Sequence, residues 1–184
     1  YNRALTADEV KRLYRSGGAF TVVNRERTRD ITFDAASSTS DTNKSSLSVS
    51  HTTATNANFL IVHVGLIDPS SAADRQVSSV TYGGKALTKI RHDDDATKFR
   101  SDLWYLVNPS TGANTVTATA AGTVDDFAII ATTYRNVDTK NPIGINDGGK
   151  ATTATGAITI LTPAGAPRAW VVGGLTTDEG VATN

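Results

Sequence analysis

One apolar run, NFLIVHVGLI at residues 58–67, limits the folds open to this 184-residue chain. The run is too short for a stable helix and rich in β-branched residues, so it predicts a central strand buried on both faces. DFAIIATTY at residues 126–134 has the same character, and shorter alternating segments surround both runs. Strands spaced about ten residues apart predict an all-β fold, an antiparallel β-sandwich of Ig-like or jelly-roll-like type.

The turns and loops are predicted from local sequence. Gly83-Gly84 separates two strand-like segments, Val77–Tyr82 and Lys85–Arg91, and predicts a β-hairpin. A bulge would be needed for Val80 and Tyr82 to pair with Leu87 and Ile90. The polar stretch AASSTSDTNK at residues 35–44 predicts a loop. Further strands are expected around residues 158–160 and 170–172.

Charge and composition exclude several classes of function. The 18 Lys and Arg balance the 18 Asp and Glu, so the net charge of zero does not favour a nucleic-acid partner. No apolar run approaches the roughly 20 residues that span a bilayer, so we expect no membrane insertion. The chain has no Cys, which excludes disulfides and thiolate chemistry within it. No cofactor motif is present, and we expect no cofactor.

Residues 1–17 (YNRALTADEVKRLYRSG) predict a short N-terminal helix. Thr6 and Glu9 have the spacing of a capping box, and Gly17 would end the helix. This string resembles the closing strand and short helix of laminin-G-like (concanavalin-type) jelly-roll domains. The resemblance implies that residues 1–17 are the tail of an upstream domain in a modular extracellular protein.

Residues 18–30 would then be a linker or a strand lent to another subunit. The extended-prone segment AFTVV supplies the candidate lent residues Phe20, Val22 and Val23. Residues 31–184 would form the β-sandwich domain.

Three later motifs carry a second resemblance: VTYGGKALTKI at 80–90, LWYLVNPSTGANTVT at 103–117 and YRNVDTKNPI at 134–143. Together they make residues 31–175 similar to a β-sandwich module of uncharacterised bacterial and phage-like secreted or surface proteins. Such modules usually have two more strands after the segment WVVGG, and these are missing here. The resemblance therefore implies that the domain is incomplete at its C-terminus, and it implies no catalytic residues.

The densest polar cluster is the acidic run Asp93, Asp94 and Asp95. Ca²⁺ takes oxygen ligands, so these residues are weak candidates for a metal site. Adjacent side chains do not converge on one ion without a tight turn, and we predict a solvated hairpin tip instead. His51 and His63 could approach each other if their strands pair, but two His without a third ligand make a weak case for a metal.

Aromatic residues are the other candidates for binding. Trp104, Tyr105 and Tyr82 could stack on the faces of sugar rings. Adjacent residues of a strand face opposite sides, so one of Trp104 and Tyr105 is expected in the core and the other is the better candidate for exposure.

Together with these patterns, the two resemblances imply a non-enzymatic structural or adhesive module of an extracellular bacterial surface protein, self-assembling through strand exchange. The expected partners are copies of itself or neighbouring domains of the same polypeptide. The alternative is a carbohydrate-binding module of a secreted multidomain protein. Exposed aromatics on one face would favour sugar binding, whereas an apolar groove or an unpaired strand edge would favour assembly.

Overall fold

A computed structural model describes residues 30–149, 169–177 and 180–182, and all the regular secondary structure there is β. The strands are β1 (Thr32–Thr53), β2 (Ala57–Ile67), β3 (Val77–Tyr82), β4 (Lys85–Ala86), β5 (Thr88–Asp94), β6 (Phe99–Val107), β7 (Gly112–Arg135), β8 (Leu175–Thr177) and β9 (Gly180–Ala182). The all-β, antiparallel prediction is therefore confirmed. The helix predicted within residues 1–17, and the candidate lent residues Phe20, Val22 and Val23, lie outside the described residues. No helix capable of crossing a membrane is found in the described part of the chain.

Seven strands form one antiparallel sheet that is nearly closed into a barrel, so the predicted two-sheet sandwich is not confirmed. The long strand β7 pairs with β1 along nearly its whole length. Its other neighbours are β3 along the first half and β2 along the second. On the other side of β2 the sheet continues with β6 and then β5. In sequence, only Leu87 separates β5 from β4, which pairs with β3. Strands β8 and β9 form a separate two-stranded sheet.

The predicted loop at residues 35–44 is instead part of the 22-residue strand β1. Ser38 and Ser40 are exposed and Ser37 and Thr39 are half-buried, while the backbone pairs with β7, whose apolar side chains are buried. The pairing satisfies the backbone hydrogen bonds and overrides the local turn signal. The register slips between Lys44 and Ser46, beside Asn43, whose φ is 53°.

The core confirms that β2 is buried on both faces, since every residue from Phe59 to Ile67 is buried. One face packs inside the barrel against the inward side chains of β3, β6 and β7. The other face contributes Phe59 and Ile61 to a smaller apolar cluster on the outside of the sheet, together with Tyr134. This second cluster lies beside the candidate site.

The predicted hairpin is confirmed at its turn, but its second strand is short: only β4 pairs with β3, and residues 88–94 form β5, which pairs with β6 instead. Gly83 and Gly84 have φ of 54° and 80°, and Tyr82 pairs with Lys85 across the turn. Positive φ at both central positions is the requirement of a type I′ turn, which glycine meets without a Cβ clash.

Candidate binding groove

An apolar groove of about 360 Å³ lies on the outer face of the sheet, and we call it the outer groove. Its lining is almost entirely apolar or aromatic: Phe33, Ile61, His63, Leu103, Ile130, Thr132, Tyr134, Trp170, Val171, Val172 and Gly173. Four strands and the segment at residues 170–173 thus contribute to a single concave surface.

Strand periodicity places these side chains on one face. His63 of β2 lies opposite both Leu103 of β6 and Ile130 of β7, and Ile61 lies opposite Thr132. Side chains directly opposite in antiparallel strands share a face of the sheet. The floor of the outer groove is therefore fixed by the register of three paired strands.

Aromatic side chains form the rim. The Tyr134 ring meets Trp170 edge-on with centroids 5.6 Å apart, and meets Phe33 edge-on at 6.2 Å. Trp170 is 51% exposed, Phe33 50% and Val171 59%. Large apolar side chains exposed together in one concavity are typical of a binding surface. The sequence predicts a strand around Trp170, but residues 169–174 lie outside any strand.

His63 is the only basic side chain that lines the outer groove, among the described residues, and it is 3% exposed. Its Nε2 lies 2.7 Å from Ser101 Oγ, while Nδ1 has no hydrogen-bond partner in the described part of the chain. Burial lowers the pKa of His63 to about 4, against the opposing effect of the Asp102 charge. A Cβ on Gly174 would overlap the imidazole, so the backbone there lies directly over the ring. At neutral pH this part of the groove carries no charge.

The acidic run does not converge on one point. Asp93 pairs with Arg91 at 2.6 Å, and Asp94 accepts hydrogen bonds from two buried arginines. Asp95 accepts from the backbone N–H groups of residues 97–99. Burial alone would raise the pKa of Asp95, but these hydrogen bonds lower it to about 2. No group of three His, Asp or Glu is placed to hold a metal within the described ranges.

The three aromatic residues predicted to stack on sugars do not form an exposed platform. Trp104 is buried inside the barrel with the Lys89 ammonium 4.7 Å from its ring centroid. Tyr82 is also inside, and its hydroxyl lies 2.7 Å from Thr53 Oγ1. Tyr105 faces outward but is half-buried against Phe59.

The rim residues Phe33, Tyr134 and Trp170 were missed as site residues. They lie in three distant parts of the sequence, and only the pairing of β1 with β7 brings the first two together. The sequence contained one signal, Trp170 followed by two valines. A large apolar segment of this kind is expected either to be buried in the core or to form a binding surface.

No family model, curated protein or solved structure matches this chain. The resemblances of residues 1–17 and 31–175 therefore stay predictions, and the function is inferred from the geometry of the outer groove.

Proposed function

We propose that this chain is a structural or adhesive β module of an extracellular bacterial surface protein, and that its outer groove binds a second copy of the chain. The observation that carries the proposal is the outer groove itself, with half-exposed Phe33 and Trp170 on its rim. The lining offers apolar contact and hardly any polar groups, which suits the burial of apolar side chains from a partner.

The edge of β1 supports the same role. Strand β1 pairs with β7 on one side, and no described strand pairs with its other edge. Natural edge strands are usually protected from association by Pro or by several Lys. This 22-residue strand has no Pro and one Lys, Lys44. A strand added along this edge would form a continuous ladder of backbone hydrogen bonds.

The two features are contiguous because Phe33 belongs to both: it lies in β1 and lines the outer groove. A strand that pairs with the edge of β1 would bring its side chains next to Phe33 and toward Trp170. A second copy fits this surface because the formal net charge of zero leaves little electrostatic repulsion between copies.

Sedimentation velocity over a range of protein concentrations tests the proposal. We expect the unmodified chain to self-associate and Trp170→Ser to weaken that association at least roughly tenfold, as loss of a buried aromatic anchor does. Ile145→Ser is the matched control, because Ile145 is 58% exposed but does not line the outer groove. A chain that stays monomeric at every concentration contradicts the proposal.

Carbohydrate binding is the second candidate, and the exposed ring of Trp170 favours it. An exposed indole beside a tyrosine can stack on a pyranose face. Isothermal titration calorimetry with bacterial and plant polysaccharides would distinguish the two functions. Saturable binding that Trp170→Ala abolishes, in a chain that remains monomeric, would favour sugar binding over assembly.

A further inference from the structure

A hydrogen-bonded chain of polar side chains lies on the barrel side of β1 and β7, on the opposite face from the outer groove. Ser37 Oγ lies 3.0 Å from His51 Nδ1, and His51 Nε2 lies 3.1 Å from Thr133 Oγ1. Thr133 Oγ1 in turn donates to Asp34 Oδ2 at 2.9 Å. Arg135 pairs with the same carboxylate, which also accepts the backbone N–H of residue 54.

The direction of each hydrogen bond in this chain is fixed. The Asp34 carboxylate only accepts, so the single hydroxyl proton of Thr133 points toward it. Thr133 Oγ1 must then accept from His51, which places the imidazole proton on Nε2. The remaining nitrogen, Nδ1, has a free lone pair that faces the Ser37 hydroxyl. The structure therefore selects the tautomer in which His51 is a base toward Ser37.

The surroundings keep His51 in its neutral form. The side chains of His51 and Thr133 are almost completely buried, at 1% and 0% exposure, while Ser37 is half-buried. Burial lowers the pKa of His51, and the charge of Asp34 opposes this shift in part. The imidazole is thus unprotonated at neutral pH. Thr133 holds its Nε2, and its Nδ1 contacts the half-buried Ser37.

We infer that Ser37 is an activated nucleophile and that His51 is its general base, in a centre that attacks small, uncharged carboxylic esters. A nucleophile bonded to a base that a further group orients is the arrangement of serine acyl transfer. Thr133 and Asp34 are positioning residues, since they act through His51. The substrate must be small because Ser37 is half-buried opposite the fully buried Ala131, and uncharged because Arg135 is already paired with Asp34.

The step balances without any oxidant or cofactor. The Ser37 hydroxyl proton passes to His51 Nδ1 as Oγ forms a bond to the ester carbonyl carbon. The bond from that carbon to the alkoxy oxygen breaks, and the leaving alkoxide takes the proton from Nδ1. Water then hydrolyses the acyl–serine ester with His51 again as base. This activity would be additional to binding at the outer groove.

The test uses the whole chain with p-nitrophenyl acetate and with a small fluorophosphonate probe, followed by peptide mass spectrometry. Ser48 is the matched internal control, since it lies on the same strand but its hydroxyl is bonded to Thr117 Oγ1 at 2.8 Å, not to an imidazole. We expect Ser37 to be modified at least roughly a hundredfold faster than Ser48, the usual contribution of a general base. Ser37→Ala should abolish the reaction, and Ser48→Ala should leave it unchanged.

Thr133→Val tests the positioning role, because it removes the group that fixes the tautomer. We expect the acylation rate to fall roughly tenfold or more. If this variant does not fold, the ¹⁵N chemical shifts of His51 in the unmodified chain decide the matter. A proton on Nε2 and a bare Nδ1 support the inference. Equal labelling of Ser37 and Ser48, an unchanged rate in folded Thr133→Val, or a proton on Nδ1 would each overturn it.

Discussion

Replacing His63 by leucine should make this protein less sensitive to acid. His63 is buried with its Nδ1 unpartnered, and its pKa is lowered from 6.5 to about 4. In the unfolded chain the imidazole is solvated and protonates near pH 6.5. Between these two values the unfolded state therefore binds more protons than the folded state, and the free energy of unfolding falls as the pH falls.

The magnitude follows from the two pKa values. Each unit of pKa difference corresponds to about 1.4 kcal/mol, so the full loss is roughly 3 kcal/mol, reached below pH 4. Between pH 7 and pH 4.5 the expected loss from His63 is roughly 2 to 3 kcal/mol. Carboxylates whose pKa is lowered, such as Asp95, lose their contribution mainly below the unfolded value of 3.8 and thus outside this window. His51 also has a lowered pKa, so its contribution falls in the same window and remains in the variant.

Urea unfolding at pH 7.0, 5.5 and 4.5, followed by tryptophan fluorescence, measures this loss. We expect His63→Leu to lose roughly 2 to 3 kcal/mol less than the unmodified chain between pH 7.0 and 4.5. His92→Gln, which removes an exposed imidazole, is the matched control. A His63→Leu chain with the same pH dependence as the unmodified one would refute the assignment of a buried, neutral imidazole.

Substitutions at four further positions test the packing of the fold by urea or thermal unfolding. Arg75→Ala should cost roughly 3 kcal/mol, because this fully buried guanidinium bridges Asp94 to backbone carbonyls; a loss below about 1 kcal/mol would show that the bridge is dispensable. Phe127→Ala should cost about 3–5 kcal/mol as a cavity in the core, and Phe127→Leu clearly less; equal losses would argue against tight packing. Gly83→Ala should cost about 1–2 kcal/mol because φ is 54° there, whereas a neutral result would contradict the turn geometry. Asp95→Ala should cost roughly 1–3 kcal/mol by leaving backbone N–H groups without their acceptor, and no change would mean that water replaces it.

Local sequence patterns were sufficient to predict the buried strand β2 and the turn at Gly83-Gly84. The strand β2 is apolar at almost every position, and the hairpin has two glycines where positive φ is required. The strand character of residues 35–44 could not be predicted in this way. Their polar side chains signal a loop, and only pairing with β7, about 90 residues later, makes them a strand.

The candidate sites depend still more on long-range contacts. Phe33 and Tyr134 meet at the outer groove across 101 positions of sequence, and His51 and Thr133 lie 82 positions apart. Neither pair belongs to a motif of fixed spacing, because strand register and the slips within it decide which side chains meet. Trp104 and Tyr82 illustrate the opposite difficulty, since an aromatic residue in a strand has the same sequence signature whether it faces the core or a ligand.

The proposal that the outer groove receives a second copy is tested most directly by the environment of Trp170. Trp104→Phe would leave Trp170 as the single tryptophan, since the chain has two Trp. As the protein concentration rises from about 1 µM to 1 mM, we expect its emission to shift to shorter wavelength and its quenching by acrylamide to fall. Phe33→Ser in the same background should remove both changes. Emission and quenching that do not depend on concentration would contradict the account.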